Sequence, residues 1–194
     1  MFVNKLLIFM NSKRIKGRSR LVPGLVASTL ALAAILAPAG GTIASDARKL
    51  SFYHTHTGKS LEVVYAENGE YLPGALQQIN NFLSDFRTGD IVRIDPGLLD
   101  LIWDVREGLD GDATYEVISA YRSPQTNEML RGRSSASGVA KNSQHTHGKA
   151  IDVRLEGVDT RSLRDQALAL RRGGVGYYQS SDFVHMDTGR VRSW

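Results

Sequence analysis

Alternating apolar and polar residues mark the first folded part of the chain as β-structure. The alternation runs from Lys49 to Leu72 and is broken by turn signals at Thr57-Gly58 and Asn68-Gly69. A period of two is typical of half-buried strands, and Asn-Gly is a strong hairpin signal. We therefore predict one or two β-hairpins in this region.

A helical pattern replaces the alternation after Pro73. Apolar residues recur at helical spacing between residues 74 and 86, which predicts an amphipathic helix that ends near Gly89. Asp95 followed by Pro96 then offers an N-cap and a proline at the first helical position, so a second helix should follow through Val105. Its acidic residues are expected on a solvated face; they are Asp100, Asp104 and Glu107.

The second half of the chain mixes short strands and helices. The pattern predicts strands at 114–120, 150–155, 175–178 and 183–186, helices at 124–131 and 160–172, a Gly/Ser-rich loop at 132–144, and a short polar tail to Trp194. Helices and strands alternate irregularly, and the hairpins imply antiparallel pairing. We predict the α+β class, with a small antiparallel sheet flanked by helices.

The N-terminal residues have the composition of an export signal. A basic block at 11–20 precedes an apolar run at 21–37, and small-residue cleavage sites follow, either Ala37-Pro38-Ala39 or Thr42-Ile43-Ala44. We predict a leader at 1–44, a single domain at 45–194, and export to the periplasm. An uncleaved membrane anchor is the alternative, because about 17 apolar residues approach the roughly 20 that span a bilayer.

Charge and cysteine content exclude several classes of function. Six of the 24 basic residues precede Leu21, so the remainder carries 24 − 6 = 18 basic against 20 acidic side chains, a net charge of about −2. The basic excess thus belongs to the leader, and we expect no nucleic-acid partner. The chain has no cysteine, so any metal must be bound by His, Asp or Glu.

Three residues late in the chain can supply such a metal site. Hydrolytic zinc sites commonly take three protein ligands from His and carboxylates and leave a fourth position for water. His145, Asp152 and His185 can form that set, and Gly148 between the first two would allow a tight turn. A paired His54 and His56 is more typical of an exposed strand edge, since period-two spacing alone is weak support for a metal site.

A hydrolase also needs a general base and a group that stabilises the developing oxyanion. Asp182, three residues before His185, is the candidate base. Arg122 lies at a predicted strand-to-helix junction, and its fork of N–H donors suits an oxyanion or a substrate carboxylate. Both residues are therefore candidate catalytic residues.

Three motifs carry a resemblance to a known family. Ser143-x-His145-x-x-Gly148-x-Ala150-x-Asp152 is similar to the S-x-H-x-x-G-x-A-x-D signature of the LAS-type zinc metallopeptidases of family M15. The stretch 119–124 resembles that family's arginine motif, and 183–189 resembles its second histidine motif. The chain most resembles the exported, murein endopeptidase K-like branch of the family.

The resemblance implies an activity and its cofactor. It implies a Zn²⁺ ion at His145, Asp152 and His185, and peptide crosslinks of peptidoglycan as the substrate. A D,D- or L,D-carboxypeptidase that trims stem peptides is one alternative, and a non-catalytic, zinc-stabilised cell-wall binding module is another. Many family members carry Glu where this chain has the shorter Asp182, which leaves Asp187 as a second candidate base or as a partner of a ligand histidine. His147 falls at a variable position of the signature and is expected in the pocket wall.

Overall fold

The computed structural model describes residues 46–133 and 138–194, which lie in one compact unit. The strands are β1 (Ala47–His54), β2 (Ser60–Glu67), β3 (Glu70–Tyr71), β4 (Tyr115–Ser119), β5 (Ala150–Leu155), β6 (Gly174–Tyr178), β7 (Phe183–Asp187) and β8 (Arg192–Ser193). The helices are α1 (Pro73–Phe82), α2 (Pro96–Glu107), α3 (Pro124–Gly132) and α4 (Thr160–Leu170). Within the described residues, none of these helices has the length and apolarity needed to cross a membrane. The predicted leader lies outside the described residues.

All eight strands form one sheet in the order β3-β2-β1-β4-β5-β7-β6-β8. The β1/β4 and β6/β8 pairs are parallel, and the other pairs are antiparallel. The predicted α+β class is confirmed. The sheet is larger than expected and mixed, because a long crossover through α1 and α2 brings β4 beside β1, and because the supposed polar tail contributes β8.

The predicted hairpins form where the turn residues require them. β1 and β2 pair antiparallel, and β2 continues into β3 through Asn68 and Gly69, whose φ values are 51° and 81°. Two successive positive φ values are characteristic of the tight turn that Asn-Gly favours. The hairpin prediction is therefore correct in both position and turn chemistry.

Helix α2 begins as predicted, whereas α1 ends early. The Asp95 carboxylate accepts a hydrogen bond from the backbone N–H of Gly97 at 3.0 Å, and Pro96 occupies the first turn. Helix α1 ends at Phe82 because the Asp85 carboxylate instead accepts the backbone N–H groups of Arg87 and Ser123, which closes a turn. The predicted helix, which was expected to include residue 86, is thus one turn longer than the observed helix.

Asp100 does not lie on a solvated helix face. Its carboxylate accepts hydrogen bonds from Arg48 at 2.9 Å, Tyr65 at 3.0 Å and Tyr71 at 2.6 Å. These contacts connect α2 to β1, β2 and β3. The acidic-face prediction is wrong at this position, because the two tyrosines and the arginine come from strands that the helical pattern does not include.

The hydrophobic core fixes the orientation of the two central strands. Ile151, Val153 and Leu155 of β5 and Val184 and Met186 of β7 belong to one buried cluster with residues of α1, α2 and α4. Successive side chains of a strand point to opposite faces of the sheet. The intervening residues of β5 and β7 must therefore face away from the helices, and they include every polar side chain of the candidate site on these strands.

Candidate metal and active site

His145 is positioned by a short 3₁₀ turn at Gln144–His147. The Ser143 hydroxyl caps the turn by accepting the His145 N–H, and Gly148 ends it with a φ of 65°. A Cβ atom on Gly148 would lie 2.6 Å from the carbonyl oxygen of Arg93, so both the backbone conformation and the packing require glycine here. The turn thereby fixes a side chain that is 1% exposed.

Asp152 and His185 meet because β5 and β7 pair in register. The two residues are directly opposite each other in the antiparallel ladder. His185 Nδ1 lies 2.8 Å from Asp152 Oδ1, and His145 Nε2 lies 3.2 Å from that oxygen and 3.1 Å from His185 Nδ1. The structure thus brings together all three predicted metal ligands in one triad.

The outer ring nitrogen of each histidine is hydrogen-bonded to an acceptor. His145 Nδ1 lies 2.6 Å from the carbonyl oxygen of Ala120, and His185 Nε2 lies 2.9 Å from Asp187 Oδ2. Each outer nitrogen must carry the proton, because a carbonyl or carboxylate oxygen only accepts. In the neutral form of both rings, the inner nitrogens present lone pairs to one another and to Asp152.

With both histidines neutral, three acceptor atoms would face one another, an arrangement that a cation bound between them stabilises. Ligand atoms bound tetrahedrally at zinc-like distances lie about 3.3 Å apart, close to the separations of the triad. Burial lowers the pKa of His145, which favours the neutral form that binds metal. The triad therefore fits a divalent metal ion.

Arg122 holds the outer oxygen of the ligand carboxylate. It follows β4 and precedes α3, as predicted, and its Nη2 donates to Asp152 Oδ2 at 2.8 Å while its Nε donates to Ser119 Oγ at 3.0 Å. The inner oxygen, Oδ1, is left facing the two histidines. Arg122 thus orients Asp152, and it also lines the cavity that contains the triad.

Asp187 is a buried anchor for His185. Its Oδ1 accepts the N–H groups of Gly174 and Gly189 and one Arg192 nitrogen, while its Oδ2 accepts His185 Nε2 and the other Arg192 nitrogen. Although burial alone would raise the pKa of this carboxyl, the hydrogen bonds from His185 and Arg192 hold it well below its ordinary value. An occupied and stabilised carboxylate is a poor proton acceptor, so the structure favours the ligand-partner role over the base.

Asp187→Asn is expected to weaken metal binding about 10–100-fold, the usual effect of removing the hydrogen-bond partner of a ligand histidine. Both carboxylate oxygens face N–H donors, so either orientation of the asparagine amide places an NH₂ group against donors. Titration with zinc against a chromogenic chelator measures the loss. The exposed acid Asp112, changed to Asn, is the matched control. Unchanged affinity in Asp187→Asn would contradict the anchor role.

Asp182 is not brought into contact with the triad. Its Oδ1 accepts the Thr160 hydroxyl at 2.8 Å, its Oδ2 lies 3.4 Å from Arg154 Nε, and the side chain is 65% exposed. Among the described residues, Asp152 is the one carboxylate that lines the cavity. The base role of Asp182 thus stays a prediction.

The cavity above the triad has a volume of about 170 Å³. Besides the triad, the lining consists of Arg122, loop residues 138–140 and 142–144, Tyr178, Phe183, Arg192 and Trp194. The contribution of Trp194 to the cavity was missed from the sequence, where residues 187–194 were taken for a polar tail. The stretch Gly173-Gly-Val-Gly-Tyr-Tyr178, with two aromatic residues after several glycines, was the one signal in the sequence for an aromatic surface at the cavity.

The remaining histidines lie elsewhere. His54 is buried and accepts the backbone N–H of His56 through Nδ1, and His56 stacks on Phe86 with ring centroids 4.4 Å apart. His147 is exposed and is not part of the cavity lining, so the pocket-wall prediction is not supported. Among the described residues, the triad is the one group whose geometry could hold a metal ion.

Comparison with known proteins gives a consistent result. A family model described as peptidoglycan L,D-endopeptidase MepK matches residues 42–194. The chain is 42% identical over 164 residues to the proteins of that name from Escherichia coli K12 and Shigella flexneri, covering 84% of this chain and 89% of each relative. It is 40% identical over 148 residues to a Haemophilus influenzae relative, covering 76% and 78%. No solved structure matches the chain significantly.

Proposed function

Because the chain belongs to the M15 peptidase family described as peptidoglycan L,D-endopeptidase MepK, we propose that it is a zinc-dependent endopeptidase that hydrolyses peptide crosslinks of peptidoglycan. The observation that carries the proposal is the triad itself. Three buried ligand atoms converge at the bottom of a cavity, with their outer atoms hydrogen-bonded as in metal sites. Cleavage of crosslinks would make room for wall growth.

The ligand set suits hydrolysis as well as binding. Zn²⁺ held by His145, Asp152 and His185 would supply a Lewis acid and lower the pKa of water to about 7. Three protein ligands leave a coordination position open, which is typical of catalytic rather than structural zinc. The protein's own contribution is to hold the ligands rigidly, through Ala120, Arg122 and Asp187.

Arg122 is proposed to act on the substrate as well as on Asp152. Its guanidinium lines the cavity beside the triad, and only part of its donor fork binds Asp152 and Ser119. A cation at this position stabilises negative charge that develops on the carbonyl oxygen of the cleaved bond. It can also bind a substrate carboxylate in two-pronged geometry.

Asp182 is proposed as the general base. To reach the cavity its side chain must leave Thr160 and Arg154, and its 65% exposure leaves room for that rotation. The next residue, Phe183, already lines the cavity. Catalytic hydrogen bonds often form only once substrate is bound, so the present contacts of Asp182 are compatible with the role.

We further propose a LAS-type fold and a periplasmic location. The order of the arginine motif, the first histidine motif and the second histidine motif along β4, β5 and β7 supports the fold. The leader at 1–44 supports export, and N-terminal sequencing of the exported protein would identify the mature start.

The test is digestion of purified muropeptides by the zinc-loaded protein. Crosslinked dimers are expected to yield monomers, and a chelator should stop the reaction until zinc is restored. Liquid chromatography with mass spectrometry separates the alternatives. A carboxypeptidase would shorten stem peptides and leave dimers joined, whereas a wall-binding module would bind sacculi and release no fragments.

A further inference from the structure

An aromatic surface stands beside the metal ligands, and we call Tyr178, Phe183 and Trp194 the aromatic wall. The Tyr178 and Phe183 rings stack with centroids 4.5 Å apart, and Trp194 Nε1 donates to Tyr178 Oη at 3.0 Å. The Trp194 ring lies 5.2 Å from the ring of His185, yet the residue is 51% exposed. A large apolar surface is thus presented to the cavity next to the reacting atoms.

Trp194 is held in place from several sides. Its backbone N–H donates to Val175 O at 3.3 Å, and its carbonyl oxygen accepts the Tyr177 N–H at 3.0 Å, which continues the β6/β8 pairing. A Cβ atom on Gly176 would lie 2.6–2.8 Å from the indole atoms, so glycine makes room for the ring. The Arg192 guanidinium lies 4.9 Å from the ring centroid.

This rigidity is unusual for an exposed aromatic side chain that contributes little to the core. Tyr and Trp that expose a fixed apolar face are typical of binding surfaces, because little conformational entropy is lost when a ligand packs on them. The cavity lining also includes the cations Arg122 and Arg192 and polar loop residues. The cavity therefore combines an apolar surface with cationic groups.

We propose that the aromatic wall is a substrate subsite, at which Trp194 packs against the aliphatic side chain of the crosslink residue next to the cleaved bond. The proposal rests on the proposed function. Trp194 touches His185, so whatever covers it lies within about one residue of the bond that is cut, and that bond is a peptide bond. A crosslink residue combines an aliphatic stem with a carboxylate, and Arg122 in the cavity lining matches the carboxylate.

Steady-state kinetics on crosslinked muropeptide dimers test the subsite. Trp194→Ala is expected to raise KM about tenfold, the effect of losing roughly one buried apolar side-chain contact, with kcat within about twofold of the wild type. Trp194→Phe, which keeps an aromatic face, should recover most of the loss. Tyr53→Ala removes an aromatic residue of similar exposure, 40%, outside the cavity lining, and should leave both constants unchanged.

Tryptophan fluorescence gives a second readout that needs no hydrolysis. The chain has two tryptophans, Trp103 and Trp194, so Trp103→Phe leaves Trp194 as the sole emitter. Mixing this variant with muropeptide dimers is expected to change the emission in a saturable way, whereas glycan fragments without peptide should not. Cu²⁺ bound at the triad is expected to quench the Trp194 emission, and this quenching reports separately that the metal site is intact.

The outcomes distinguish a failure of the subsite proposal from a failure of the proposed function. If wild-type protein cleaves dimers and Trp194→Ala binds zinc and retains wild-type KM, the subsite is wrong and the endopeptidase assignment stands. If dimers change Trp194 emission but are never cleaved, the subsite stands and the function is wrong. A response to peptide-free glycan alone would replace the proposed peptide occupant with a sugar.

Discussion

Replacing His145 with alanine is expected to abolish cleavage of crosslinked muropeptides and to remove tight zinc binding. His145 supplies one of three ligand atoms, and its Nε2 lies 3.1–3.2 Å from the other two. Two remaining ligands leave an incomplete site, and without the metal water is not activated as a nucleophile at neutral pH. Metal content by mass spectrometry and dimer cleavage by chromatography measure the two losses.

The neighbouring histidine provides the control for this experiment. His147 lies in the same 3₁₀ turn but is exposed and outside the cavity lining, so His147→Ala should retain zinc and activity. Since His145 is buried, circular dichroism should show that the His145→Ala variant is folded. Removing zinc from the wild type with a chelator must reproduce the same loss. If folded, zinc-free protein still released monomers, the metal mechanism would be wrong.

The metal ligands were predictable because their local sequence constrains them. Gly148 requires a positive φ and closes the turn that holds His145, and Asp152 enters a strand whose alternation fixes its direction. What the sequence does not contain is the register of β5 against β7. That pairing places Asp152 opposite His185, 33 residues later. The residue types suggested the three ligands and the resemblance to a family implied zinc at them, but neither gave the register.

The groups that orient the ligands were harder to foresee. His145 is held by the carbonyl oxygen of Ala120, a backbone group with no signature in any side-chain pattern. Asp187 was predicted either as a base or as a partner of a ligand histidine, and five hydrogen-bond donors around it favour the second role. Such roles depend on tertiary contacts, which short-range patterns do not encode.

The end of α1 and the last strand likewise depend on tertiary contacts that the local sequence does not encode. Helix α1 ends at Phe82 because Asp85 binds the backbone of Ser123, a residue 38 positions away. The two-residue strand β8 is too short for a periodic pattern, and it forms because β6 offers an edge to it. Trp194 was therefore taken for part of a tail, although it belongs to the aromatic wall.

Asp182→Asn is expected to lower kcat about 100–10,000-fold, the usual contribution of a general base, while zinc affinity stays unchanged. Asparagine keeps the shape and the Thr160 contact of Asp182 but cannot accept a proton at neutral pH. The side chain makes no contact with the triad, so a purely structural role would leave kcat almost intact. Burst-free steady-state kinetics with zinc-saturated protein measure the effect on the chemical step.

Comparison with Asp187→Asn separates the two candidate acids. Loss of the base lowers kcat at full metal occupancy, whereas loss of the anchor of His185 lowers metal affinity and is largely restored by added zinc. Thr160→Val sharpens the assignment, because it removes the hydroxyl that holds Asp182 Oδ1 away from the cavity and should not lower kcat. Full activity in zinc-saturated Asp182→Asn would show that another group accepts the proton. The role of Asp182 would then be structural, because its present contacts connect the start of β7 to Arg154 of β5 and Thr160 of α4.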